Sequence, residues 1–457
     1  MENDRFKVII AGGGPVALTL AHALVKADID FVILEQAQTI TKDTGAGVGM
    51  GPGVLRVIKQ FGFYESFVKS GVEVTGRTWF TPEGNAFAHQ PFFFKYVKKN
   101  HGHGPIICNR SDILRRFYDA LPEDAKAKVL LDKKVTRVDA DKHGVSVTCA
   151  DGSTHRGHLL VGCDGTHSAV RSAMRRRAIE EDPRNEARWD AEQPFLSTYR
   201  CMWGSMRQKC PPDYASETCS KDRSAMHYVG LDDRAWIFLY EKLDAPTSGR
   251  VRFSPDDALA FKDRFADWAL HPDYRVGDFT KDDMISFGAS LLEEGCCKRW
   301  FHGRIVLAGD AAHKVCPQAG MGLNDGVQDA VCIANKLNKI VSAKRGKQAG
   351  QAGHGLPSTA ELSPLLQAYQ DERIKEMEMS LSTSAAYARW QAFANPFYYF
   401  LGRYVVCSQF MTYVMHNLIA PKTFCRFLTL NYVETEEPFK TAVPWLYPID
   451  GGKRPDV

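Results

Sequence analysis

A short run near the N-terminus, Gly12-Gly13-Gly14-Pro15-Val16-Ala17, constrains this chain more than any other feature. It follows an apolar stretch, Lys7 to Ala11, and precedes a segment whose Leu18, Leu20, Ala21 and Leu24 suit the buried face of a helix. Phe31 to Leu34 then reads as a second buried strand, ending at Glu35. Strand, tight glycine turn, helix and strand make the opening unit of a doubly wound α/β fold. Gly12, Gly14 and Ala17 occupy the small-residue places of GxGxxG/A. Small residues there let the chain turn sharply and let a pyrophosphate approach the helix N-terminus, where unpaired N–H groups and the helix dipole favour an anion. Pro15 suits the first helical position, because the N–H it lacks has no partner there anyway. Glu35, 23 positions beyond Gly12, can accept hydrogen bonds from both hydroxyls of a ribose and would repel a 2′-phosphate. The pattern predicts a dinucleotide site not built for NADP, and leaves NAD and FAD open.

Two further segments deliver an acid from a buried strand into a turn. One is Leu159-Leu-Val-Gly-Cys-Asp164-Gly165, followed by Ser168 and Arg171. The other is Arg304-Ile-Val-Leu-Ala-Gly309-Asp310, continuing through His313, Pro317, Gly320, Gly322, Leu323, Asn324 and Asp325 to a second glycine-rich helix start. Three such turns exceed what a simple dehydrogenase needs. Together they resemble the class A flavoprotein monooxygenases, the para-hydroxybenzoate hydroxylase-like family, from about residue 5 to about residue 375.

The resemblance implies a Rossmann-like FAD-binding domain, an inserted mixed β-sheet that holds the substrate, and a C-terminal helical region. It implies that Gly12, Gly14, Ala17 and Glu35 hold the ADP half of FAD. Gly49, in the loop Gly45-Ala-Gly-Val-Gly49, would lie close to the flavin, and Arg110 would reach the phosphate and ribityl region. Arginine suits that task because its planar fork pairs phosphate oxygens two at a time. Asp310 would bind a ribityl hydroxyl. Pro317, Gly320, Gly322, Leu323 and Asn324 would turn backbone amides toward the pyrimidine edge of the flavin, where reduction places negative charge. Asp164 and Arg171 would tie the flavin domain to the approach of the nicotinamide. His313 reads as packing rather than as a base. No second dinucleotide loop is present, which fits a family in which NAD(P)H visits transiently.

Composition sets the remaining bounds. The 457 residues allow two or three domains at ~150 residues each. A formal net charge of +4 gives no reason to expect nucleic acid as a partner. Twelve cysteines without a CxxC pair show neither zinc-ligand spacing nor a disulfide framework, so no metal is expected and a reducing compartment fits best. The N-terminus lacks a signal-peptide pattern. Tyr404 to Pro421 carries no formal charge, but Ser408, Gln409, Thr412, His416 and Asn417 interrupt it. It predicts a buried or surface-docking helix rather than a span, hence a cytoplasmic protein, at most peripheral at a membrane.

The expected organisation is an FAD-binding part at 1–174, with some of the substrate sheet at 72–108, then a substrate sheet at 175–300 with a helix near 255–270. A second FAD-binding part follows at 301–345, and a mobile Gly346–Pro357 loop and a helical region complete 346–457. Arg175, Arg176 and Arg177, answered by Glu180, Glu181 and Asp182, read as a solvated linker. Candidate walls of the substrate site are Trp79, Phe80, Phe92, Phe93, Phe94, Trp203, Tyr228, Trp236, Phe238 and Tyr240, most of them core residues.

The loop spacing, the WIFLYEKLD segment and the aromatic tail resemble the fungal secondary-metabolism branch, with its epoxidases of indole-diterpene and meroterpenoid pathways and its indole oxidases. By that resemblance Arg200 and Tyr228 fall where the branch has polar active-site residues. The implied reaction uses NAD(P)H and O2 to epoxidise an electron-rich C=C, a prenyl alkene or indole C2–C3, of a hydrophobic natural-product intermediate. Rearrangement or cyclisation of the product could follow. Phenol hydroxylation is the nearest rival, but it needs a base that the sequence does not reveal. The fold also serves halogenases and reductases, although no two of the eight tryptophans stand two apart as a WxWxIP signature requires. A non-catalytic flavoprotein is the remaining alternative.

Overall fold

The computed structural model describes residues 5–41, 46–348 and 355–452. The apolar runs KVIIA, DFVIL, LLVG and IVL are continuous rather than alternating, as strands buried on both faces of a parallel sheet must be. They form the centre of a six-stranded sheet, in the order Phe301–His302, Ile305–Leu307, Leu159–Gly162, Lys7–Ala11, Asp30–Leu34, Val129–Leu130. Ile9 pairs with Val32 on one side and Leu160 on the other, and Val161 pairs with Val306, all in parallel. The chain therefore leaves Lys7–Ala11 in opposite directions. That reversal opens a crevice at the carboxyl ends of the strands, the place where doubly wound sheets bind ligands. The three glycine and acid turns read from the sequence all lie at that end.

An eight-stranded, mostly antiparallel sheet stands beside it. Its order is His313–Lys314, Met284–Cys296, Leu196–Arg207, Arg234–Thr247, Arg223–Val229, Ala215–Ser220, Arg77–Phe80, Ala86–Gln90. One face buries Met202, Met206, Ile237 and Leu239 against Phe261 and Phe265, at and beyond the helix Pro255–Asp263. The other turns Tyr199, Cys201, Met226 and Tyr240 toward Cys316, Ala388 and Ala392. A third, three-stranded sheet joins Gly47–Met50 and Val72–Glu73 to Ile106–Asn109. Of the stretch 72–108, then, Arg77–Phe80 and Ala86–Gln90 belong to the large sheet.

Some local expectations need correction. Arg175 to Arg177 are not in a linker: the helix Ala169–Glu181 runs through them, capped by Ser168 Oγ, which accepts the Arg171 N–H. Arg177 pairs with Glu181 one turn on at 2.6 Å, and Arg175 Nε donates to Asp190 O. A boundary at 175 therefore falls inside a helix. The helix expected near 255–270 stops at Asp263, and Ala269–His271 is a short strand. The expected 346–357 loop lies largely outside the described residues, and the helix Gly322–Gln348 runs to their edge.

The helix Thr359–Gln391, started by a Ser358–Glu361 capping box, bridges the two large sheets. The tail then runs back over the nucleotide-binding half. Gln60 bonds to the backbone of Leu430 and Val433, Tyr432 Oη donates to Ala23 O, and the fully buried Arg56 pairs with Glu437.

At the junction of these elements lies Asp329, 0% exposed. Its Oδ2 accepts the Gly309 N–H at 2.8 Å and meets His313 Nε2 at 2.6 Å, while Oδ1 accepts from Arg373 Nε at 2.8 Å. Burial works to raise its pKa, but His313 and Arg373 outweigh burial and hold it below the usual carboxylate range. A lowered acid stabilises the fold above the unfolded-chain value of about 3.9 and loses that contribution as pH falls. Asp329→Ala is expected to lower stability by about 3–5 kcal/mol at neutral pH, because it strands the Arg373 charge in the interior. The gap to the wild type should narrow in acid. Urea midpoints of both proteins at pH 7 and at about pH 2, below the unfolded-chain value, check this, and equal midpoints at pH 7 would refute it.

Candidate functional site

The glycine turn has the conformation its sequence requires. Gly12 adopts φ +96°, and a Cβ there would lie 2.5 Å from Cys163 O. Ala17 is buried in the first turns of the following helix. Glu35 reaches back to the turn: Oε2 accepts the Gly13 N–H at 2.5 Å and Oε1 accepts the Ala37 N–H at 2.7 Å.

The three-stranded sheet brings the next parts in. Gly47 pairs with Asn109 and Gly49 with Ile107, and the Arg110 N–H donates to Ala46 O at 2.9 Å. Gly45 lies outside the described residues. The Arg110 guanidinium feels the fields of two acids far away in sequence. Burial lowers its pKa, and the fields of Asp310 and Glu35 oppose that. Asp310 also pairs with Lys314, four positions on in the short strand His313–Lys314. Pro317 starts a short turn that ends at Gly320, φ +65°, just before the helix that begins at Gly322. Leu323 and Asn324 lie in the first turn of that helix. Asn324 stitches this turn to the Gly49 segment: Oδ1 accepts the Gly51 N–H at 2.8 Å, and Nδ2 donates to Gly49 O at 3.0 Å and Gly320 O at 2.7 Å.

Thus Gly12, Gly14, Glu35, Gly49, Arg110, Asp310 and Gly320, spread over three hundred residues, surround one crevice. A Cβ built on Gly14, Gly49 or Gly320 would meet nothing within 4 Å. Three glycines facing open space, with a buried cation in the field of two acids, fit the pyrophosphate, ribityl and ring portions of a dinucleotide flavin. Asp164 stands at the edge of this group. Its Oδ1 accepts from Ser168 Oγ at 2.5 Å and its Oδ2 accepts the Val170 N–H at 3.1 Å, so it caps a helix, and burial raises its pKa against those bonds. Arg171 ties the same turn to the Asp310 turn through Thr166 O and Ala311 O. His313, held by Asp329, is a packing residue.

The other wall is the inner face of the large sheet. Most of that face is buried, but Trp203, Tyr228 and Phe238, at its centre, are half-buried. Trp236 joins it to the cofactor side, since a Cβ on Gly47 would lie 2.8 Å from its ring. Arg200 and Tyr228, paired in the sequence reading, are not together. Tyr228 pairs with Trp236 and Trp236 with Ser205, whereas Arg200 pairs with Glu241. Arg200 and Ser205 are five positions apart, an odd number, and side chains alternate along a strand, so Arg200 faces the opposite side. There it binds Glu241 with Arg223 and Arg264 and stacks on Phe261.

The group beside Tyr228 is one that sequence reasoning missed. Arg77 Nη2 donates to Tyr228 Oη at 3.2 Å and Nη1 pairs with Glu217. Glu217 also accepts from Trp79 Nε1 at 3.0 Å and from Tyr387 Oη at 2.5 Å. Arg77 and Glu217 are nearly inaccessible. The only hint in sequence is a lone Arg and a lone Glu inside strand-like runs, since charged residues are rarely buried unless paired. Burial pushes the Tyr228 phenol up to about 12, with Arg77 pulling the other way, so it remains a neutral donor.

Comparison with known proteins agrees with this geometry. A family model described as an FAD binding domain matches residues 5–191 and 264–351. The chain is 32% identical over 408 residues to the FAD-dependent monooxygenase ausM of Penicillium brasilianum, an alignment that covers 88% of this chain and 83% of that protein. It is 32% identical over 461 residues to the FAD-dependent monooxygenase spyC of Aspergillus fumigatus, covering 97% and 94%. The chain belongs to the class A FAD-dependent monooxygenases.

The same fold occurs in Klebsiella pneumoniae HpxO, solved with FAD and uric acid, at TM-score 0.72 and 19% identity over 92% of this chain and 96% of that one. It occurs also in a salicylate hydroxylase substrate complex, at TM-score 0.66 and 18% identity over 91% and 96%. This monooxygenase takes FAD as cofactor, and class A members use NAD(P)H as reductant. Asp310→Ala is expected to yield largely flavin-free protein and Glu35→Ala a protein that loses FAD on dilution, without a change in nicotinamide preference. Flavin absorbance per mole of protein is the measure. A normally yellow Asp310→Ala protein would remove that residue from the site.

Proposed function

We propose that this monooxygenase epoxidises an electron-rich C=C, a prenyl alkene or indole C2–C3, of a hydrophobic natural-product intermediate, with Tyr228 as the proton donor that opens the epoxide. The observation that carries this reading is the neutral Tyr228 phenol at the half-buried centre of an aromatic face, held by Arg77. Similarity to fungal monooxygenases supports the setting, though it names no substrate.

Bound FAD supplies the redox chemistry, accepting a hydride from NAD(P)H and activating O2 for transfer of one oxygen atom. Gly12, Gly14, Glu35, Arg110 and Asp310 would hold it, with Gly49 and the turn from Pro317 to Asn324 at the ring end. The chain's own residues provide the rest. Trp203 and Phe238, backed by the buried Trp236, give an apolar wall that packs an alkene or indole and excludes water, which protects the activated oxygen from wasteful loss. Tyr228 donates a proton to the oxygen of a strained ring as a C–O bond breaks.

Phenol hydroxylation needs a base to raise ring electron density. Glu217, the acid nearest Tyr228, is engaged by Arg77, Trp79 and Tyr387 and is not free to serve. The epoxide reading therefore fits better than its rival.

Purified protein assayed in air with prenylated indoles, meroterpenoids and simple phenols tests this. NADPH oxidation stimulated by an alkene or indole, and not by phenols, is expected. Tyr228→Phe should keep its flavin and its NADPH oxidation, yet form opened product roughly a hundredfold more slowly, with epoxide accumulating. Preferential turnover of phenols would overturn the proposal.

A further inference from the structure

Large apolar side chains left in water are usually scattered singly over a soluble protein. Here they are gathered. Of the fifteen exposed among the described residues, nine fall within 397–419, including Phe397, Phe400, Tyr404, Phe410, Tyr413 and Leu418. Phe410 is 73% exposed and Phe397 66%. Phe397, Phe400 and Tyr404 are spaced i, i+3, i+7 and share one face of a helical run from Pro396 to Val406. A second run, Gln409 to Phe424, carries the five from Phe410 to Ile419. Their opposite sides are anchored: Cys407 is buried against the Trp79 and Trp390 cluster, Thr412 Oγ1 donates to Gln90 Oε1, and Asn100 Nδ2 donates to His416 O. No helix among the described residues is long and apolar enough to cross a membrane.

Charge is distributed with equal bias. The chain has 54 acidic residues, yet none between Met379 and Val433 and none between Gly84 and Ser111. The second stretch includes the short helix Lys95–His101, which lies against the first through a Tyr96–Tyr413 ring contact of 5.6 Å. Lys95, Lys99, Lys422 and Arg426 are exposed on these segments. Lys98 is exposed as well but pairs with Glu73 at 2.9 Å.

We infer that this face docks on an anionic lipid bilayer, lying in the interface without spanning it. Aromatic and aliphatic side chains favour the headgroup–acyl boundary, and lysines beside them are drawn to anionic headgroups. A second copy of the chain fits less well, because a two-fold contact would set one basic rim against the other. The inference is independent of the chemistry proposed above.

Flotation of the flavin-loaded protein with vesicles tests it, using phosphatidylcholine alone and phosphatidylcholine with phosphatidylserine. The protein should float with the anionic vesicles and be released by high salt. Phe400→Ser/Phe410→Ser/Leu418→Ser should lower partitioning at least about tenfold, and Lys95→Glu/Lys99→Glu/Lys422→Glu by a similar factor. All six positions are exposed, so flavin spectra and unfolding midpoints should match the wild type. Three results would overturn the inference: no flotation with anionic vesicles, flotation unchanged in both variants, or a wild-type dimer in sedimentation that the serine variant splits.

Discussion

The Asp329 carboxylate is the contact on which the cofactor side depends. It accepts from Arg373 and the Gly309 backbone and meets His313 within hydrogen-bonding distance, so one buried group fixes the turn bearing Asp310, the helix after the glycine loop and the bridging helix Thr359–Gln391. An acid so deeply buried persists only when its charge and lone pairs are matched on every side. Here the match comes from three segments, and the turn that presents Asp310 cannot shift without breaking it. Asn324 does the same for the glycine turn before the helix Gly322–Gln348, through bonds to Gly49, Gly51 and Gly320.

Across the crevice a second buried ion pair organises the substrate wall. Arg77 and Glu217 sit on neighbouring strands joined in parallel, and Tyr387 comes from the bridging helix. That helix therefore carries one partner for each buried centre, Arg373 for Asp329 and Tyr387 for Glu217. The cofactor crevice and the aromatic sheet are held in register by a single element, while Gly47 packed on Trp236 closes the seam between them. Precise spacing of that seam is what a reaction that must exclude water requires.

The cofactor half was legible because its chemistry is local. A glycine at φ +96° beside a strand end, or an acid that closes a strand, is written within a few consecutive residues. The buried ion pairs were not legible, since Arg77 and Glu217 are 140 positions apart and Arg56 and Glu437 are 381 apart. Nothing in local periodicity links such partners. Arg200 was misplaced for a different reason. Tyr199, Cys201 and Trp203 alternate with Arg200, Met202 and Gly204, so both phases of that strand carry residues fit for burial, and a one-residue change of phase moves every side chain to the other face. The arginine run at 175–177 has the charge pattern of a linker, whereas the signal for a helix lies seven positions earlier, at Ser168, whose cap starts the helix that contains the run.

Turnover under isotopically labelled O2 tests the central claim most directly. The account requires a yellow protein whose NADPH consumption rises with one alkene or indole compound, and a product that gains a single labelled oxygen atom. Label found only in hydrogen peroxide, or a product whose new oxygen comes from water, would contradict it.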